Sequence, residues 1–266
     1  MPPADVQKRA MPVRTSFAFA AGVTNAFPTK IQRWCARHPW AMLLAMEGCE
    51  SSAELPVPEI AEATARTLAS YQAGADAYRD ETRTRERAPD YDLFFRYLRA
   101  QFPSQPTYSL LDVGCGPGRD LAEFRARGHR AMGLDGCAAF VDMAQLHSGC
   151  PVLHQDLRAP LLPVATYDGI FACGSLFHVP PAALPQTLRA LRQSLRAGGV
   201  LFTLNPRGED QSGWVGDRFC CYLRLQTWRR LMTDAGWMLR THTLRPLRLP
   251  RAQRQWIAAI WIATVT

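Results

Sequence analysis

Short apolar runs alternate with amphipathic helical patterns along residues 108–265. The run at 108–113 predicts a buried strand, because it is short, continuous and followed by a glycine-rich turn. Further strands are predicted at 130–134, 151–155, 167–172, 200–204, 237–244 and 256–265, and helices at 119–127, 137–147, 182–195 and 225–235. Strands that alternate with helices in this way predict an α/β domain on a mostly parallel sheet.

Helical patterns also precede the first strand. One covers residues 59–78, and the other places Tyr91, Phe94 and Leu98 on one apolar face. Both have the spacing of amphipathic helices. The charged segment 79–87 between them predicts a solvated face, and the polar, glycine-containing segment 205–222 predicts a surface connection or a loop that shapes a pocket.

Residues 1–55 differ from the rest of the chain. They hold several prolines and no sustained periodicity, with six Lys or Arg residues against one acid before residue 41. This composition predicts a poorly ordered N-terminal extension, although an arginine-rich, acid-poor start is also typical of an organelle transit peptide. We therefore expect an extension over 1–55 and one folded domain over 56–266, which includes helices at 59–100.

Composition narrows the class of protein. A chain of 266 residues with 47% hydrophobic residues can bury a sizeable core, and its formal net charge is +8. The eight cysteines form no C-x-x-C pair and no Cys/His cluster with zinc spacing, so we expect no metal site. No apolar run approaches the ~20 residues that cross a bilayer, and no secretory signal pattern is present. We expect a cytoplasmic protein, or a mitochondrial one if residues 1–40 are a transit peptide.

A turn with glycines at 114, 116 and 118 follows the first predicted strand. A dinucleotide fingerprint needs its third glycine five residues after the first, where this chain has Arg119. With Asp112 at the strand end, the turn resembles motif I of the class I S-adenosylmethionine-dependent methyltransferases. The resemblance implies a Rossmann-like fold with a seven-stranded sheet, a C-terminal antiparallel hairpin and helices on both faces. It also implies S-adenosyl-L-methionine as cofactor and S-adenosyl-L-homocysteine as product.

The same resemblance assigns cofactor contacts along the chain. Asp135 and Gly136 end the second predicted strand about 20 residues after the glycine turn, where a carboxylate accepts hydrogen bonds from ribose hydroxyls. Asp156 and Leu157 follow the third strand and are expected to meet the adenine. The remaining predicted cofactor residues are Asp112, Gly114, Cys115, Gly116, Gly118, Cys173 and Tyr78.

Candidate substrate residues lie around the fourth and fifth strands. His178 is the ionisable side chain just after the fourth strand, placed either to act as a catalytic base or to pack and hydrogen-bond. Tyr71, Arg207, Trp214 and Tyr222 complete the predicted substrate site, with Arg207 suited to an anion and Trp214 to a ring or a methyl-bearing cation. Tyr71 and Tyr78 are equally compatible with ordinary packing.

The sequence favours methyl transfer to an N, O or S atom of a small molecule. Nucleic-acid N-methylases carry an Asn/Asp-Pro-Pro-aromatic run after the fourth strand, whereas this chain reads Ala172-Cys173-Gly174-Ser175. Nine arginines against one acid over residues 218–254 leave an RNA methyltransferase as an alternative. A non-catalytic scaffold of the same fold is the other. Oligomeric state and acceptor atom do not follow from the sequence.

Overall fold

The computed structural model describes residues 57–264. Seven helices and nine strands lie within this range. The helices are Val57–Ala73 (α1), Ala75–Thr82 (α2), Ala88–Gln101 (α3), Arg119–Ala126 (α4), Ala138–Ser148 (α5), Leu184–Ser194 (α6) and Leu225–Asp234 (α7). The strands are Ser109–Val113 (β1), Arg130–Asp135 (β2), Val152–His154 (β3), Tyr167–Cys173 (β4), Leu195–Pro206 (β5), Gln211–Val215 (β6), Arg218–Tyr222 (β7), Trp237–Arg245 (β8) and Trp256–Ala263 (β9).

Seven of these strands form one sheet in the order β3-β2-β1-β4-β5-β9-β8. Strands β1 to β5 pair in parallel, and β9 runs antiparallel to both β5 and β8. The predicted mostly parallel sheet with an antiparallel C-terminal pair is therefore confirmed. Strand order reverses beside β1, whose neighbours are β2 and β4, so the crevice for a ligand is expected at the carboxyl ends of these strands.

Both faces of the sheet are covered. On one face the aromatic stripe of α3 packs on the sheet, where Phe94 lies against Phe171, and Phe171 and Phe202 stack with ring centroids 4.5 Å apart. On the other face Leu188 of α6 and Trp228 of α7 join the core with Trp237 and Trp261 of the sheet. Burial on both faces explains why the central strands read as continuous apolar runs instead of alternating ones.

The structure departs from the predicted elements in two places. The predicted helix over 59–78 is broken at Gly74, where α1 ends and α2 begins. The predicted connection over 205–222 contains a separate hairpin, in which β6 and β7 pair antiparallel from Gln211 opposite Tyr222 to Val215 opposite Arg218. Gly213, Gly216 and the polar positions of this hairpin obscured its strand pattern.

The charged segment 79–87 is exposed only in part. Arg79 and Arg85 pair with nearby acids at the surface, as expected for a solvated face. Arg87 instead has a side chain that is only 17% exposed and lies 3.5 Å from Asp90. Its spacing from Tyr91 is one helical turn, which places it in line with the buried stripe of α3. The prediction of a solvated face is wrong at this residue.

Two further predictions concern the N-terminal extension and membrane-spanning helices. The expected N-terminal extension, 1–55, lies outside the described residues, as does any transit peptide within it. Within 57–264, no helix is both long enough and apolar enough to cross a membrane.

Candidate functional site

The glycine turn after β1 depends on glycine for close packing. Gly118 has φ +85°, and a Cβ on it would lie 2.6 Å from the Cα of Ala144 in α5. A Cβ on Gly114, φ +67°, would collide with the side chain of Ser175. Gly116 has more room, since the nearest atom to its Cβ position is on the Tyr78 ring at 3.7 Å. The turn therefore closes tightly on the protein at two glycines and leaves space at the middle one.

Asp135 is the polar centre of the site. Its two carboxylate oxygens accept hydrogen bonds from the backbone N–H groups of Gly116 and Cys137, each at 2.9 Å. Burial raises the pKa of this carboxyl, and the same backbone donors oppose the shift. The interaction joins the end of β2 to the glycine turn, which fixes the turn and leaves further oxygen lone pairs for a ligand.

Asp156 follows β3 at the other end of the site. Its carboxylate accepts from the backbone N–H of Arg158 at 2.8 Å and forms an ion pair with that guanidinium at 2.6 Å. Leu157 stands between the two residues and packs on the edge of the main core. The loop after β3 thus presents an apolar side chain beside a paired carboxylate.

These groups surround one pocket with about 670 Å³ of empty space, partly open to solvent. Nine of the predicted site residues line it: Tyr71, Tyr78, Gly114, Gly116, Asp135, Gly136, Asp156, Leu157 and His178. Helix α1 contributes Thr64, Thr67 and Leu68 as well, so it forms a roof over the carboxyl ends of the strands.

His178 is held by hydrogen bonds on both ring nitrogens. Nε2 lies 2.7 Å from the hydroxyl of Tyr71, and Nδ1 lies 2.8 Å from the carbonyl oxygen of Phe219 in β7. A carbonyl only accepts, so Nδ1 carries the proton and Nε2 accepts from Tyr71. Burial is the main reason that the pKa of His178 is lowered to about 4, and the nearby Arg218 contributes to the same shift. The imidazole is therefore neutral near pH 7 and weakly basic.

Several predicted site residues do not line the pocket. Asp112, Cys115, Gly118 and Cys173 lie beneath or beside the glycine turn, and Cys115 is buried. Three predicted substrate residues are also outside the lining: Arg207, Trp214 and Tyr222. Trp214 is 40% exposed and packs under the guanidinium of Arg66 at 4.3 Å. The hairpin carries it towards α1 instead of into the pocket.

Two buried polar atoms near the glycine turn have no hydrogen-bond partner. They are Nε of Arg87 and Oδ2 of Asp112. Burial raises the pKa of Asp112 well above its usual range, and the neighbouring Asp120 adds to the shift. Buried polar groups are nearly always satisfied, so these two atoms are candidates for contacts with the ammonium and carboxylate at the amino-acid end of S-adenosylmethionine. Neither residue is among those that line the pocket.

Arg87 is a buried candidate residue that the sequence reasoning missed. The run of charges from 79 to 87 masked it as a surface residue. A signal was nevertheless present, because Arg87 stands four residues before Tyr91 and therefore on the apolar side of the following helix. Across residues 57–264, no group of three or more His, Cys, Asp or Glu side chains is arranged to hold a metal ion.

Comparison with known proteins defines the class. A model of the methyltransferase domain family matches residues 110–199. The 1,6-didemethyltoxoflavin-N1-methyltransferase of Burkholderia thailandensis, solved with 1,6-didemethyltoxoflavin and S-adenosylhomocysteine bound, superposes with a TM-score of 0.62 at 22% identity over 81% of this chain and 94% of that one. The segment that matches the methyltransferase domain family contains the predicted motif I, and the predicted Rossmann-like methyltransferase fold is confirmed.

Two curated relatives are similar in sequence. Trans-aconitate 2-methyltransferase of Azoarcus sp. (strain BH72) is 36% identical over 121 residues, which are 44% of this chain and 46% of the relative. Human methyltransferase-like protein 27 is 29% identical over 201 residues, which are 62% of this chain and 77% of the relative. The chain thus spans less than half of the first relative and about three quarters of the second.

Proposed function

We propose that this chain transfers the methyl group of S-adenosylmethionine to an N, O or S atom of a small molecule. The observation that carries the proposal is the glycine turn locked to Asp135 at the floor of a pocket of ligand size. When bound, S-adenosylmethionine supplies a methyl group already activated on a sulfonium. The protein is left to align donor and acceptor and to exclude water.

Cofactor binding is assigned to three groups of residues. Asp135 and Gly136 would accept the ribose hydroxyls, with Gly114 and Gly116 allowing backbone approach. Asp156 and Leu157 would meet the adenine, and Tyr78 would pack beside the glycine turn. Arg87 and Asp112 would bind the carboxylate and ammonium of the amino-acid end. Cys115, Gly118 and Cys173 support the turn from outside the pocket lining.

His178 is proposed as a positioning residue in preference to a catalytic base. Its neutral imidazole is committed on both nitrogens, and a pKa of about 4 makes it a poor proton acceptor near pH 7. Tyr71 is proposed to contact the substrate, because it lines the pocket from the roof. Substrate contacts by Arg207, Trp214 and Tyr222 stay predictions, and they require a ligand that extends beyond the pocket.

The alternatives receive less support from the contacts. For RNA binding, the C-terminal arginines would have to be available, yet Arg245 pairs with Asp90 at 3.0 Å and Arg254 donates to the carbonyl of Leu249 at 2.7 Å. For a scaffold without catalysis, the unsatisfied Nε of Arg87 and Oδ2 of Asp112 would lower stability without serving a ligand. The cytoplasmic location stays a prediction.

Calorimetric titration of the full chain tests the proposal. We expect S-adenosylmethionine and S-adenosylhomocysteine to bind wild type with micromolar affinity and to bind Asp135→Ala at least about tenfold more weakly, since a buried acceptor is lost. Asp142→Ala removes an exposed acid from α5 and serves as the matched control. If folded wild type binds neither compound, the methyltransferase proposal fails.

A further inference from the structure

Most hydroxyl groups on the residues that line the pocket donate their protons to acceptors within the protein. Thr64 and Thr67 in α1 donate to the carbonyls of Ile60 and Ala63, at 3.0 and 2.7 Å. Ser175 after β4 donates to the carbonyl of Val113 at 2.6 Å. Each carbonyl is acceptor-only, so the direction of these hydrogen bonds is fixed.

The hydroxyl of Tyr71 also donates its proton to a protein acceptor, which is His178. Phe219 fixes the proton of His178 on Nδ1, so Nε2 offers a lone pair and the Tyr71 hydroxyl must donate to it. Five of the residues that line the pocket carry a hydroxyl, and four of these hydroxyls are therefore committed as donors, the fifth being that of Tyr78. These four hydroxyls can offer a ligand only oxygen lone pairs.

The charged groups in the lining do not reverse this polarity. Asp135 and Asp156 are acceptors, and the guanidinium of Arg158 is paired with Asp156. Arg218 stands over the Tyr71 ring at 4.0 Å and donates to Ser70 at 3.3 Å, and it is not among the residues that line the pocket. Thr67 also accepts the backbone N–H of Phe219 at 2.9 Å, which anchors its oxygen.

We infer that the methyl acceptor is a neutral or cationic molecule that presents an O–H or N–H donor to the hydroxyl oxygens of Tyr71 and Thr67. The inference rests on the proposed function and narrows its substrate class. A carboxylate placed at the same point would set its lone pairs against lone pairs and lose its hydration without compensation. Tyr71 is then a specificity-determining residue, and His178 is the positioning residue that fixes its polarity.

The hydrogen-bond direction is measurable without a substrate. Nitrogen-15 spectra of the full chain should show His178 as the neutral tautomer with its proton on Nδ1 at pH 7. Burial lowers the pKa of His178 to about 4, so this tautomer should persist at pH 5.5, where an ordinary histidine is mostly protonated. A proton on Nε2, or a charged ring at pH 7, would overturn the inference.

Three probes of one shape test the substrate class on protein saturated with S-adenosylhomocysteine. Phenol carries a donor, anisole carries none, and benzoate is an anion. We expect phenol to bind about five to ten times more tightly than anisole, the worth of one net hydrogen bond, and benzoate to leave the His178 signals unmoved. Tyr71→Phe should abolish the preference for phenol, and Tyr97→Phe, which alters a tyrosine outside the pocket, should keep it.

The outcomes separate the inference from the proposed function. Equal binding of anisole or benzoate, no effect of any probe on His178, or a preference that survives in Tyr71→Phe would overturn the inference while S-adenosylhomocysteine still binds. Absence of S-adenosylhomocysteine binding would overturn the proposed function instead. The ranking of the three probes on wild type decides the question even if Tyr71→Phe does not fold.

Discussion

Two glycines with nearly the same backbone angle differ in what surrounds them, and this difference isolates the packing of the site. Gly118 has φ +85° and Gly128 has φ +84°, so alanine at either position is strained by the left-handed conformation. That strain costs about 1–2 kcal/mol for each residue. A Cβ at 118 would also lie 2.6 Å from the Ala144 backbone, whereas a Cβ at 128 meets no atom within 4 Å.

The extra cost at 118 follows from the packed backbone. The atom in the way is a Cα of α5, so α4 and α5 must move apart, and overpacking of this kind costs typically about 1–3 kcal/mol. We therefore expect Gly118→Ala to lower the free energy of unfolding by about 2–5 kcal/mol and Gly128→Ala by about 1–2 kcal/mol. The difference between the two losses in the free energy of unfolding is the contribution of the close contact at Gly118.

Urea unfolding at pH 7, with linear extrapolation, measures both values on the same protein. The slope of free energy against urea should stay the same in the two variants, since both keep the fold. Equal losses at 118 and 128 would refute the reasoning, because they would show that α5 yields to the new methyl group. A loss at 128 larger than at 118 would refute it more strongly.

Three other outcomes follow from burial and charge. Arg87→Gln should weaken S-adenosylmethionine binding about tenfold or more in calorimetry, because it removes the proposed charged partner of the ligand's carboxylate. Arg96→Gln changes an exposed arginine and should leave the affinity unchanged. Equal affinities of the two variants would contradict the assignment of Arg87. His178 has a folded pKa of about 4, below its unfolded value of about 6.5, so its contribution to stability is complete above pH 6.5 and is lost as the pH falls towards 4. The wild type should lose on the order of 3 kcal/mol more than His178→Gln over that interval in urea unfolding, and parallel curves would contradict this. Burial raises the pKa of Cys173 and of Cys220 to about 12, so iodoacetamide at pH 8 should leave both unmodified in the native protein and label both after denaturation, as peptide mass mapping would show.

The fold could be predicted from the sequence because strands, helices and turns leave signals over a few neighbouring residues. Each central strand contains an apolar run, and most helices end near a glycine or proline. The glycine turn and Asp135 were also predictable, since a tight turn and an acid at a strand end leave direct marks in the sequence. Their roles in cofactor binding remain predictions that the calorimetry tests.

What the sequence did not predict depends on distant contacts. Strand β6 has no buried residue and β7 buries three successive ones, so neither strand shows the alternation that reveals a half-buried sheet. Arg87 is buried and interacts electrostatically with residues that lie far away in the chain, among them Cys173 and Asp120. The pairing of Tyr71 with His178 joins residues 107 positions apart and becomes visible only when α1 is placed over the sheet.

The segment that matches the methyltransferase domain covers one part of the pocket and leaves out another. The glycine turn, Asp135, Asp156 and His178 all lie within residues 110–199, the segment that matches the methyltransferase domain. The roof residues Thr64, Thr67 and Tyr71 lie before that segment.

The parts that hold the roof also lie outside the match. Phe219 of β7 binds both Thr67 and His178, and Asp217 pairs with Arg66 at 2.7 Å. The hairpin therefore contacts α1, although the side chains at 207, 214 and 222 stay out of the lining. We expect the cap helices and the hairpin to select the substrate, so variants there should change the acceptor while S-adenosylmethionine binding persists.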